Sequence, residues 1–232
     1  MKIAVMQPYL FPYIGYFQLI NSVDKFVIYD DVSFINKGWI NRNNILVNGK
    51  PNLFTVPLKK SSQNKLIKDI EISDPDTWRT KFLKTIEVSY SKADSFKDVY
   101  ALITDVLHIA ENNISKLILN SLTAIKNYLE IKTEIIESSA MYCNSQLKGF
   151  DRIIDICKKE DSNNYINPIG GINIYSKKIF EDNGIKLNFI KPKEILYRQF
   201  DQEFVPSLSI IDVLMFNSKK KVQDYLNEYD LI

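Results

Sequence analysis

One histidine among 232 residues removes more chemistry than any other shortage in this chain. Mechanisms built on a histidine pair, a three-histidine metal site or a His-x-Gly-His phosphate motif have no residues to use. The one present, His108, lies in Asp105-Val106-Leu107-His108-Ile109-Ala110, a stretch with helical patterning, and is read as structural. Cysteine is nearly as scarce. Cys143 and Cys157 have no metal-type spacing and suit two free thiols in a reducing compartment. An excess of one charge sign is missing too, since 30 basic and 28 acidic residues mix along the chain for a net +2. Without a basic stripe, a dedicated nucleic-acid or membrane surface is excluded. A small anionic ligand, or a charged tRNA as a donor, needs only a few local cations. No apolar run approaches the ~20 residues that span a bilayer. The apolar start Met1-Lys2-Ile3-Ala4-Val5-Met6 is too short for a signal peptide, so a cytoplasmic location is expected. Repeats, low-complexity tracts and Pro/Gly-rich linkers are absent, and one domain over 1–232 is expected.

What is present is a large apolar share, 45%, with 13 Tyr and 13 Phe against 2 Trp. Lys2 to Met6 reads as a buried strand stopped by Gln7-Pro8, because proline cannot donate to a ladder. Pro12 suits a helix start over Gly15 to Ile20, and Lys25 to Tyr29 reads as a second strand. Strand, helix and strand within about 30 residues make one βαβ unit and imply a parallel sheet. Asn48-Gly49 between Ile45-Leu46-Val47 and Asn52-Leu53-Phe54-Thr55-Val56 predicts a hairpin. Asp74 and Pro75 predict a helix cap and first position, with helices near 76–91, 94–112 and 115–130. Thr133 to Glu137 is a third sheet strand, 149–159 an amphipathic helix, Asn164 to Asn167 a fourth strand, Ile174 to Asp182 a helix, and Ile185 to Ile190 the last strand. Ser207 to Asp212 opens a C-terminal helix, and Ser218 caps a final one. The expected fold is α/β: a doubly wound, mostly parallel sheet with a β-hairpin and a helical insertion at about 75–131.

Ligands of open parallel sheets bind beyond the carboxyl ends of the strands, which directs attention to the segments that follow them. After the first strand comes Gln7-Pro8-Tyr9-Leu10-Phe11-Pro12-Tyr13-Ile14-Gly15-Tyr16-Phe17, with five aromatics in the nine residues from Tyr9. Such a loop suits a pocket wall or the interface of a homodimer. Gly15 either lets a phosphate or base approach the helix N-terminus or serves close packing. Asp30-Asp31 after the second strand offers a metal ligand, a general base or an acceptor, or else a turn or cap pair. In Asn36-Lys37-Gly38-Trp39-Ile40-Asn41-Arg42-Asn43-Asn44, Lys37 and Arg42 supply charge, Trp39 a stacking face, and Asn43 with its neighbours sugar-type hydrogen bonds. Gly170-Gly171 before Tyr175 is a glycine loop that cradles an anion or makes a tight turn. Asp212, inside an apolar helix start, is a functional carboxylate or, more commonly, a buried acceptor. No metal-ligating set is assigned.

The run from Ile3 to Ile20 closely resembles the opening signature of the WbqC-like family. The likeness continues through Asp30-Asp31, Trp39, Arg42-Asn43, the Gly170-Gly171…Tyr175 loop and Phe204-Val205-Pro206-Ser207-Leu208-Ser209-Ile210-Ile211-Asp212. The glycine loop departs from the family pattern, with Asn167-Pro168-Ile169 where a glycine is usual. The resemblance implies work in O-antigen or other surface-polysaccharide (lipopolysaccharide) biosynthesis. A glycine transferase role, acylating an amino sugar, has been suggested for one member. The opening also looks like nucleotidylyltransferase-type folds, with Pro12 and Gly15-Tyr16 where those enzymes carry His-x-Gly-His. Loss of both histidines weakens the phosphate-stabilising mechanism. The expectation is a transferase moving an aminoacyl (glycyl) group to the amine of a nucleotide-linked amino sugar. Asp30 or Asp31 would accept the amine proton, while Gln7, Tyr9, Pro12, Gly15, Tyr16, Lys37, Trp39, Arg42, Asn43, Gly170, Gly171 and Tyr175 bind substrate. The alternatives are a nucleotidylyltransferase using ATP with Mg²⁺, or a non-enzymatic binding protein of the same pathway.

Overall fold

The computed structural model describes residues 1–200 and 203–232. β1 (Lys2–Met6) has Ile3, Ala4 and Val5 all buried, so both of its faces are covered. An apolar run without polar alternation produces that two-sided burial. α1 (Ile14–Asn21) then crosses to β2 (Lys25–Ile28), which lies parallel to β1 with Ile3 opposite Lys25 and Met6 opposite Ile28. The expected βαβ unit is present.

β5 (Glu134–Ile136), β6 (Asn164–Pro168), β7 (Lys186–Pro192) and β8 (Tyr229–Leu231) complete the sheet. Among the described residues it has six strands in the order β5-β2-β1-β6-β7-β8, all parallel except β8. The order reverses between β1 and β6, the position where open sheets leave a crevice. β3 (Arg42–Val47) and β4 (Lys50–Thr55) form a separate antiparallel hairpin. Asn48 and Gly49 both have positive φ, 49° and 71°, as a tight two-residue hairpin turn requires.

Side chains alternate across the sheet into two cores. Ala4, Phe26 and Ile28 pack with α1, the hairpin, α2 (Pro75–Tyr90), α3 (Phe96–His108), α4 (Ile114–Tyr128), α7 (Ile210–Phe216) and α8 (Lys219–Tyr225). Ile3, Val5 and Val27 face α5 (Gly149–Lys159) and α6 (Lys177–Glu181). The sheet is therefore wound on both faces. α2–α4 form the helical insertion between the hairpin and β5.

Several local expectations need correction. The strand at 185–190 is not the last, because Tyr229–Leu231 adds to its edge with Ile190 opposite Leu231. Three residues carry too little periodicity to be seen in sequence. The helix expected from Ile174 begins at Lys177, since the N–H groups of Ile174 and Tyr175 both turn back to the Gly171 carbonyl. Asp74 stands at the cap of α2 in a left-handed conformation (φ 45°, ψ 60°) and makes no side-chain cap bond. Pro12 lies two residues before Ile14, the first residue of α1, with Tyr13 between them as the cap, and its carbonyl accepts from Ile210 N–H at 2.8 Å. Ser209 and Ser218 do cap α7 and α8, accepting from Ile211 and Lys221 N–H. No helix among the described residues is long and apolar enough to cross a membrane.

Candidate functional site

Chain segments far apart in sequence meet beyond the end of β1. Leu10 N–H donates to the Ile40 carbonyl at 3.1 Å, and Ser209 N–H to the Asn44 carbonyl at 2.8 Å. Phe11, fully buried, has φ 43°, a conformation that costs an aromatic residue about 1–2 kcal/mol. Two buried side chains hold it there: Asn43 Nδ2 and Ser209 Oγ donate to its carbonyl at 2.9 and 2.7 Å. Residues forced into rare backbone conformations persist only where the surroundings over-determine them. Here the opening motif, the Arg42-Asn43 motif and the Pro206–Asp212 motif supply those surroundings.

The cleft bordering this clamp has a volume of about 380 Å³ and is lined by Tyr9, Pro12, Tyr13, Trp39, Asn43 and Ser207. Tyr9, Pro12, Trp39 and Asn43 are thus brought together from two motifs. Trp39, one of the lining residues, is 47% exposed. Arg42 serves the loop that carries it. Its Nε donates to the Gly38 carbonyl at 2.9 Å, a second guanidinium N–H reaches the Lys37 carbonyl, and Cζ lies 5.9 Å from the Trp39 ring centroid. Lys37 itself is exposed, with φ 59°. Tyr9 packs at 5.6 Å from Tyr16, whose hydroxyl donates to the Gln7 carbonyl at 2.8 Å. Gln7 and Tyr16 therefore support the wall from behind. Gly15 has a different use from phosphate approach: a Cβ there would lie 2.4 Å from the Tyr13 ring, which occupies the space.

Asp30 and Asp31 follow β2 but are not among the residues lining this cleft, and both are buried. Asp31 accepts from Arg152 Nη2 at 2.5 Å and from Ser139 Oγ. Arg152, itself 3% exposed on α5, also donates to Asn144 Oδ1 at 2.9 Å and lies 4.9 Å from the Tyr29 ring. Asp30 bonds no cation among the described residues and accepts from Ser138 Oγ at 2.6 Å and Ser115 Oγ at 2.9 Å. Burial pushes its carboxyl above the ordinary range, against the pull of the two serine hydroxyls. All four carboxylate oxygens already accept a donor. A divalent cation at Asp31 would have to displace the Arg152 charge, and among the described residues no third acidic, His or Cys ligand joins the pair.

The β6 loop forms a third group. Tyr175 packs on Tyr165 at 6.1 Å and on Phe180 at 5.9 Å. A Cβ at Gly171 would meet Asn167 Nδ2 at 1.8 Å, so glycine is needed there for the close approach of that amide. Gly170 has open space around its Cα, and nothing local requires it to be glycine. Asp212 is a buried acceptor, taking Gln199 Nε2 at 2.6 Å, Tyr197 OH at 2.7 Å and Tyr90 OH at 2.9 Å.

Sequence reasoning passed over Arg152 and Ser207 as functional positions and named Tyr13 only as one aromatic of the loop after the first strand. Arg152 carried a signal: on α5 it shares a face with Ile156, four residues on, and a charge on an apolar face has a buried partner. Tyr13 and Ser207 carried none beyond their motifs.

The model of the WbqC-like protein family matches residues 7–224. A relative named "Uncharacterized protein Rv1507c", from Mycobacterium tuberculosis (strain ATCC 25618 / H37Rv), is 29% identical over 228 residues, covering 97% of each chain. No solved structure matches significantly.

Proposed function

The chain belongs to the WbqC-like protein family, and from that premise we propose an enzyme of surface-polysaccharide biosynthesis that transfers an aminoacyl group, glycyl in the leading case, to the amine of a nucleotide-linked amino sugar. The observation that carries this reading is the composition of the cleft: aromatic faces from Tyr9 and Trp39 beside the hydroxyls of Tyr13 and Ser207. Aromatic faces cover the apolar faces of a sugar ring, and hydroxyl groups satisfy its edges.

In the transfer, the free amine attacks the acyl carbonyl. The new C–N bond forms as the bond from that carbon to the donor's oxygen breaks, and the amine gives up a proton. We assign the proton to Asp30. Among the described residues its carboxyl bonds no cation and burial raises it, which favours proton uptake, and the half-buried Ser138 hydroxyl that donates to it at 2.6 Å is the group through which the buried carboxylate would take the proton. Asp31, paired with Arg152, is a positioning residue in this scheme.

The test is to incubate the protein with a uridine-diphosphate-linked amino sugar and a glycyl donor, glycyl-tRNA or glycine with ATP, and to follow the sugar nucleotide by mass spectrometry. Gain of one glycyl residue is expected, falling about 10²-fold or more in Asp30→Asn, the loss typical of a removed general base. Release of pyrophosphate from a nucleoside triphosphate with no acylated sugar would favour nucleotidyl transfer instead.

A further inference from the structure

A second cleft, about 310 Å³, lies against the first and shares Tyr13 and Ser207 with it. Ile14, Ile195, Tyr197, Phe204, Leu208 and Val213 make its apolar walls. Its charged lining residues, Lys193 and Glu194, are both exposed, and the Tyr197 hydroxyl is turned to another partner. Tyr197 OH is committed to Asp212 at 2.7 Å, and its ring packs edge-on against Phe204 at 5.1 Å. Lys193, exposed at the rim, faces Glu228 at 3.7 Å and Asp230 at 3.9 Å. A charged or strongly polar group carried past Lys193 and Glu194, in among the apolar side chains, would lose its hydration with little in return.

Tyr13 is the partition. It precedes α1, is 43% exposed, and its ring rests over Gly15 in the place a side chain would fill. The one hydroxyl-bearing residue shared by the two clefts besides Tyr13 is Ser207, held at φ 58°.

We propose that this second cleft is a binding site for a short, uncharged hydrocarbon chain, whose polar end lies at the Tyr13–Ser207 junction. The chemical class is an acyl chain joined through an amide or ester. This goes beyond the glycyl transfer above and stands on the cleft's own walls, so it survives if the nucleotide-sugar reading fails.

A series of straight-chain carboxamides, from propanamide to decanamide, tests it by protein-observed NMR titration. Each methylene that enters an apolar site contributes about 0.8 kcal/mol, so affinity should rise about fourfold per carbon until the cleft is filled and then level off. Methyl signals of Leu208 and Val213 should shift along the series. Ile195→Trp, a change at a half-buried loop position on one wall, should abolish the chain-length dependence. Trp39→Ala, in the neighbouring cleft, should leave it intact. Affinity that does not change with chain length, or shifts confined to other methyls, overturns the proposal. A chain-length dependence unaltered in a folded Ile195→Trp does the same, and the methyl shifts decide if that variant does not fold.

Discussion

Two buried carboxylates in this molecule are handled in opposite ways, and the difference can be measured. Asp212 sits among three neutral donors, and burial raises its carboxyl above the ordinary range of about 3.9. A folded state that holds a proton more tightly than the unfolded chain gains stability as pH falls. That contribution is complete below the unfolded value and is lost as pH rises through the folded one. Melting temperature compared between wild type and Asp212→Asn should thus shift in favour of wild type as the pH is lowered from 7 toward 4, and a constant difference would contradict the account. Asp31 is instead neutralised by Arg152, with both side chains under a tenth exposed. Removing the cation leaves a buried unpaired charge, so Arg152→Met should cost about 3–5 kcal/mol in urea unfolding. The sequence marked Asp30-Asp31 by its place after a strand, but the cation that pairs with Asp31 lies 121 residues away. No local pattern carries that pairing.

At the level of elements, the loop between β1 and α1 behaves as a part braced from outside. Asn43 from β3 and Ser209 at the cap of α7 both bond the Phe11 carbonyl. If they act as one clamp, Asn43→Ala and Ser209→Ala should each lower stability by about 1–2 kcal/mol. The double variant should lose a different amount from the sum, by about 0.5 kcal/mol or more, as for groups sharing a partner. Strict additivity in a denaturation cycle would show two independent bonds. The periodic elements were legible where the code is local: α5 runs from Gly149 to Lys159 as its amphipathic pattern requires, and Asn48-Gly49 turns the hairpin. β8 and the late start of α6 were not, because edge pairing with β7 and the turn at Gly171 decide them. The left-handed Phe11 was invisible for the same reason, as aromatic residues give no sign of it in sequence.

The whole molecule follows from how the two ends of the chain wrap around one sheet. The order β5-β2-β1-β6-β7-β8 places the β1 loop beside the strand-order reversal, and the C-terminal segment returns to cover it. The doubly wound class was readable from alternating strand and helix patterns. The cleft was half readable: Tyr9, Pro12, Trp39 and Asn43 were recognised as binding types, whereas their meeting with Tyr13 and Ser207 needed the fold. Of the two uses the sequence left open for Gly15, ligand approach and close packing, the Tyr13 ring seated over it supports packing.

The central claim is that this cleft recognises an amino sugar carried on a nucleotide. Isothermal titration of a uridine-diphosphate-linked amino sugar against wild type and Trp39→Ala is the most direct test. Stacking on an aromatic face contributes about 1–3 kcal/mol, so the account predicts saturable binding weakened about tenfold or more in the variant, with its melting temperature unchanged. Equal binding by both proteins, or none by wild type, would contradict it.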